Sequence, residues 1–172
     1  MKMYILFFAT FLTLPLMAQN DVAGKVGHSE VVVVVGASAK TLTDRVTAFL
    51  QSKRVEPKIV GNIVTGIGSL SVAYTSVKKG PESGYVKFVF KTTIKDGKYK
   101  IDLTDFKHEG IQGKSSGGSI DLPNPECGET HITKGSWITI KEQAQEKLKV
   151  FVQELKTKMD NPAKVAPAST DF

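Results

Sequence analysis

Residues 84–110 read GYVKFVFKTTIKDGKYKIDLTDFKHEG, and this stretch decides the fold. Asp96-Gly97 lies between two alternating apolar runs, where a two-residue type I′ turn needs positive φ at both central positions. The turn fixes the register. Counting outward pairs Lys95 with Lys98, Ile94 with Tyr99, Thr92 with Ile101, Lys91 with Asp102, Phe90 with Leu103, Val89 with Thr104 and Phe88 with Asp105. Cross-strand partners share a face, so one side carries Phe88, Phe90, Ile94, Tyr99, Ile101 and Leu103. The other carries Lys87, Lys91, Lys95, Lys98 and Lys100, with Tyr85, Val89, Thr104 and Phe106 among or beyond them. The first face is expected against a core and the second toward solvent. Asp105 is the anomaly, because strict alternation sets its carboxylate on the core face, where it needs a partner. The alternative is a bulge or strand end that lets it reach solvent.

Upstream, the five consecutive valines of Glu30–Val35 predict a strand, and their β-branching favours one that is buried or covered on both sides. From Ser38 to Lys53 the period becomes helical, with Leu42, Val46, Phe49 and Leu50 on one side and Ser38 as N-cap. Lys58–Ile63 and Gly66–Tyr74 are further strands, and Ser76–Gly84 reads as a polar turn into the hairpin. Downstream, 110–135 is rich in Gly, Ser and Pro and predicts a long loop with room for one short strand, a size that is either functional or mobile. The last helix carries Ala144, Leu148, Phe151, Val152, Leu155 and Met159 at a 3.6-residue period, with Thr139 to Glu142 as its capping box. Strand, helix, several antiparallel strands and helix predict a two-layer α+β domain whose helices pack on one face of the sheet.

The chain opens MKMYILFFATFLTLPLMA, a basic start, a short apolar run and a helix-breaking Pro15 before Ala18. This predicts a signal peptide over 1–18 and an exported protein, periplasmic or extracellular, with no transmembrane anchor after cleavage. No cysteine adjoins the cut, which disfavours a lipoprotein. Residues 19–28 are expected to form a mobile leader, 29–160 one domain and 161–172 a disordered tail. The net charge of +6 falls by one when Lys2 is removed, a moderate excess with no basic tail. A lone Cys127 permits no internal disulfide, so the fold must rest on its core.

With these elements in place, the chain resembles a family of uncharacterised secreted Bacteroidetes proteins, a domain of unknown function with a TATA-binding-protein-like fold. The resemblance spans about Ser29 to His108 and is carried by SEVVVVVGAS leading into a helix with Phe49, by GIGSLSVAY, and by KFVFKTTIKDGKYKIDLTDFKHEG. It implies that fold and carries over no catalytic residue. Fold does not imply DNA binding, and export argues against a nucleic-acid partner.

No motif reaches the specificity of a catalytic signature. VVVVVGASAKT orders strand, glycine and helix like a phosphate loop but lacks the second glycine and the Gly-Lys-Thr spacing, so it reads as a tight turn. Gly110-Ile-Gln-Gly113-Lys114-Ser115 has two intervening residues where four are needed. Cys127 and His131, with His108, Asp105, Glu109 and Glu129, are the sole group with metal-ligand chemistry, yet they offer neither a second cysteine pair nor an HExxH helix. A hydrolase or metal-dependent enzyme on Asp105, His108, Cys127 and His131 requires those four to converge. Neither a cofactor nor a metal site is expected. The favoured alternative is a non-enzymatic binding domain whose lysine stripe, Lys87, Lys91, Lys95, Lys98 and Lys100 with Tyr85, engages an anionic envelope component or another protein. A solvated face whose lysines discourage edge pairing is the structural alternative.

Overall fold

The computed structural model describes residues 26–76, 80–111 and 115–160. The expected signal peptide over 1–18, most of the expected leader, the expected tail and part of the second phosphate-loop-like segment lie outside these residues. The order is β1 (His28–Val33), α1 (Ala39–Ser52), β2 (Lys58–Val60), β3 (Ile63–Ser76), β4 (Gly80–Lys95), β5 (Lys98–Gly110), β6 (Gly118–Ser119) and α2 (Lys134–Asp160). The strands form one antiparallel sheet, β1-β5-β4-β3-β2, with β6 also paired to β5. Both helices cover the same face, so the fold is two-layer α+β.

The hairpin keeps the register read from its turn as far as Val89 and Thr104. The turn itself differs in type: Gly97 has φ +71°, but Asp96 is not in the positive region, the φ pattern of a type II turn. The Asp96 carboxylate is committed elsewhere, accepting from Ala39 N–H at 2.6 Å, which ties the hairpin tip to the start of α1. Gly97 N–H also donates to Ala37 O at 2.8 Å.

Beyond Thr104 the register slips. Asp105 adopts φ +57° in a β-bulge, which turns it to solvent and resets the alternation. Phe106 therefore lies in the core, stacked on Phe88 at 5.3 Å, and not on the lysine face. His108 becomes a core residue for the same reason, and Lys107 joins the open face.

Three further expectations are corrected. The valine strand is an edge strand that alternates, with Val32 inward and Val31 and Val33 outward, because the helices cover one face alone. Gly80–Gly84 belongs to β4, so β3 and β4 form a long ribbon where a polar turn was expected. The segment after β5 is packed: β6 pairs with Lys107 and His108, Ile120 and Ile132 are buried, and Trp137 Nε1 donates to Leu122 O at 3.0 Å.

α1 keeps its expected face and its Ser38 cap, whose Oγ accepts from Thr41 N–H at 3.1 Å. α2 starts earlier than its sequence pattern indicates. Thr133 Oγ1 accepts from Ser136 N–H at 3.1 Å and Thr133 O from Trp137 N–H at 2.9 Å, while Thr139 and Glu142 are interior helix residues. The extra turn buries Trp137 and Ile140. Phe151 then meets Phe49 of α1 at 5.1 Å and Phe88 and Phe90 of the sheet at 5.3 and 6.2 Å, joining both layers edge-on.

Candidate functional site

Both helices pack on one side, and among the described residues no element covers the other side of the sheet. Register fixes what lies on it: Val33, Lys98 and Lys95 follow one another across β1, β5 and β4, then Val31, Lys100 and Thr93, then Ser29, Asp102, Lys91 and Thr65. Lys107 and Lys87 form a later row, and Glu109 and Tyr85 the next. The expected stripe is thus one surface, extended by Lys107, Val31, Val33 and Ile67. Lys107 was hidden by the bulge, and the sole signal for it was an aspartate and a lysine both falling on a nominal core face.

The stripe's charges are not equivalent. Lys87 Nζ pairs with Glu109 at 2.5 Å, and Lys100 Nζ with Asp102 at 2.7 Å. Asp102 also accepts from Ser29 Oγ at 2.8 Å. Burial alone would raise the Asp102 pKa, but the bonds from Lys100 and Ser29 outweigh it and hold the carboxyl below its usual value. Among the described residues Lys91, Lys95, Lys98 and Lys107 have no ion-pair partner, and all four are exposed. Tyr85 is 45% exposed and Ile67 60%, so apolar surface lies among these cations.

The proposed enzymatic cluster does not assemble. Asp105 and His131 are exposed, and Asp105 accepts from Thr104 Oγ1 at 2.9 Å. His108 is buried edge-on between Tyr74, at 5.2 Å, and Trp137, at 6.0 Å. Its Nδ1 accepts from Gly117 N–H at 3.0 Å, so the neutral ring carries its proton on Nε2. That atom lies where a Cβ at Gly84 would come within 2.5 Å, so glycine is the residue that fits beneath the ring. Burial pushes the His108 pKa down to about 4. Cys127 is half-buried, and burial pushes its thiol pKa up, the opposite of nucleophile activation. No hydrogen bond joins any two of the four, and among the described residues no group of three or more His, Cys, Asp or Glu could hold a metal ion.

The phosphate-loop-like turn after β1 is satisfied internally. Ala39 N–H goes to Asp96 and Thr41 N–H to Ser38, the donors an anion would need. A cleft of about 410 Å³ opens between the far end of β3–β4 and α2, lined by Tyr74, Pro81, Glu82, Ser136 and Thr139. Glu82 accepts there from Tyr74 Oη at 3.2 Å and Ser76 Oγ at 3.0 Å. Burial, aided by Glu82, pushes the Tyr74 phenol up to about 12, so it stays protonated. No described helix is long and apolar enough to cross a membrane.

No family model matches the chain, and no curated protein matches it. Among solved structures, it is similar to a DUF4468 family protein from Bacteroides ovatus, at 12% identity over 85% of this chain and 92% of that one, TM-score 0.58. It is also similar to a TBP-like protein from Parabacteroides distasonis, at 14% identity over 81% of this chain and 96% of that one, TM-score 0.58. At these identities the likeness bears on fold alone, and it agrees with the resemblance carried by the Ser29–His108 segments: the chain has a TATA-binding-protein-like α+β fold.

Proposed function

We propose that this is an exported, non-enzymatic binding domain that engages an anionic envelope surface through its bare sheet face. One observation carries the proposal: among the described residues, an uncovered face presents Lys91, Lys95, Lys98 and Lys107 without ion-pair partners, beside exposed Val31, Val33, Ile67 and Tyr85. Unpaired cations beside apolar side chains suit a surface that offers negative charge and partial desolvation. The apolar run within 1–18 supports export, and the dispersed Asp105, His108, Cys127 and His131 give the enzymatic alternative no support.

The test compares Lys91→Gln/Lys95→Gln/Lys98→Gln with Lys134→Gln/Lys149→Gln/Lys158→Gln on α2, which removes the same charge. On vesicles containing anionic phospholipid, the sheet triple is expected to weaken binding about tenfold or more. The helix triple should change it less than about twofold. Equal losses in the two triples sink the proposal and leave net charge as the cause.

A further inference from the structure

The two edges of the sheet are finished differently. β2, at one edge, has three residues, and where β3 continues past it α2 supplies hydrogen-bond partners. Ala73 N–H donates to Gln143 Oε1 at 3.0 Å, and Gln143 Nε2 donates to Ala73 O at 2.7 Å. Lys147 Nζ donates to Ser71 O and Ser136 Oγ to Thr75 O, each at 2.7 Å. That edge is closed by side chains that take the place of a strand.

β1 has six residues, and among the described residues nothing comparable covers it. Between the turn and the bulge, the even-numbered main-chain groups of Lys98 to Thr104 point toward β4 and the odd ones toward β1. Val34 N–H donating to Gly97 O at 2.8 Å continues that alternation. His28, Glu30 and Val32 therefore bond to β5, while the N–H and C=O groups of Ser29, Val31 and Val33 face away from the sheet. The side chains of Val31 and Val33 are 59% and 66% exposed. The strand contains no proline, lysine or bulge, the usual guards of a free edge.

We propose that β1 pairs with β1 of a second copy of this chain, antiparallel about a two-fold axis through Val31. Only Ser29, Val31 and Val33 can bond outward, so odd residues must meet odd residues. Two symmetric registers then use most of the strand. Centring on Glu30 sets that carboxylate against its own copy, which like-charge repulsion disfavours. Centring on Val31 sets Val31 on Val31, Ser29 on Val33 and Glu30 on Val32, so no charged side chain meets a like charge. The strand is complementary to itself in size and charge, as an isologous interface requires. Lys156 already holds Glu30 within its own chain at 2.7 Å, leaving the carboxylate no need of a partner across the axis. The pairing joins the two bare faces into one surface, and it stands whether or not that surface binds anions.

The test expresses the full chain, purifies it as cells process it, and measures its solution mass by sedimentation against the chain mass from mass spectrometry. A dimer is expected. Val31→Lys or Val31→Glu alone should raise its dissociation constant at least about tenfold, with circular dichroism unchanged. Mixing the two variants should restore the dimer, since only at the two-fold position does a residue meet its own copy. Val31→Pro removes an N–H that points away from β5 and should also yield a folded monomer. A native protein that stays monomeric at every concentration overturns the proposal and leaves the edge to a strand of another protein. A dimer insensitive to these changes, or variants that fail to recover on mixing, also overturns it.

Discussion

At the scale of single residues, Asp105 and His108 share one cause. A bulge absorbs one residue, and without it Asp105 would point into the core and His108 out of it. The histidine it turns inward is held neutral by burial, with a pKa of about 4 against 6.5 in an unfolded chain. Below pH 6.5 the unfolded state gains a proton that the folded state refuses, so stability falls as pH drops. The His108 contribution is complete above pH 6.5, erodes on acidification and is gone near pH 4, a loss of about 3 kcal/mol. Denaturant titrations at pH 7 and pH 4 check this, and His108→Phe is expected to flatten the difference by that amount. An unchanged pH slope in the variant would show that carboxylates govern acid sensitivity.

At the scale of elements, the sequence pattern located both helices but misplaced the start of α2. Periodicity is visible from Ala144 onward, whereas Trp137 and Ile140 become apolar contacts only because the preceding segment folds back onto β5. The N-terminal cap is Thr133, so Thr133→Ala is expected to cost about 1 kcal/mol in a chemical denaturation, and Thr139→Ala close to nothing. The strands followed a similar rule. Alternation and the two-residue length of the Asp96-Gly97 turn sufficed for Val89 to Thr104, even though the turn is of another type than expected. The bulge was legible only as an anomaly, since no residue type demands one. The candidate site divides in the same way: the hairpin lysines were readable from their turn, but Lys107 required the bulge, and Val31 and Val33 required knowing which strand lies at the edge.

At the scale of the whole molecule, the two layers meet at one aromatic contact among many apolar ones. Phe151 of α2 is 7% exposed and its ring meets Phe49 of α1 and Phe88 and Phe90 of β4, so one side chain touches both helices and the sheet. Phe151→Ala is expected to cost about 3 kcal/mol in thermal or chemical unfolding, because the cavity lies where two layers meet and neither can close it. A loss no larger than that of a surface substitution would mean that the helices repack around the gap. This one-sided packing also makes the opposite face available, and with it the unpaired lysines and the free edge of β1.

By itself the sequence determined the two-layer α+β class, the hairpin register from the turn to Val89 and Thr104, and the apolar faces of the helices, because each follows from spacing along the chain. Only the tertiary structure decided that the valine strand is an edge, that Phe106 and His108 turn inward, and which lysines lack partners. Those outcomes depend on contacts between residues far apart in sequence, where a strand's neighbours, and not its own side chains, settle what is buried and what stays open.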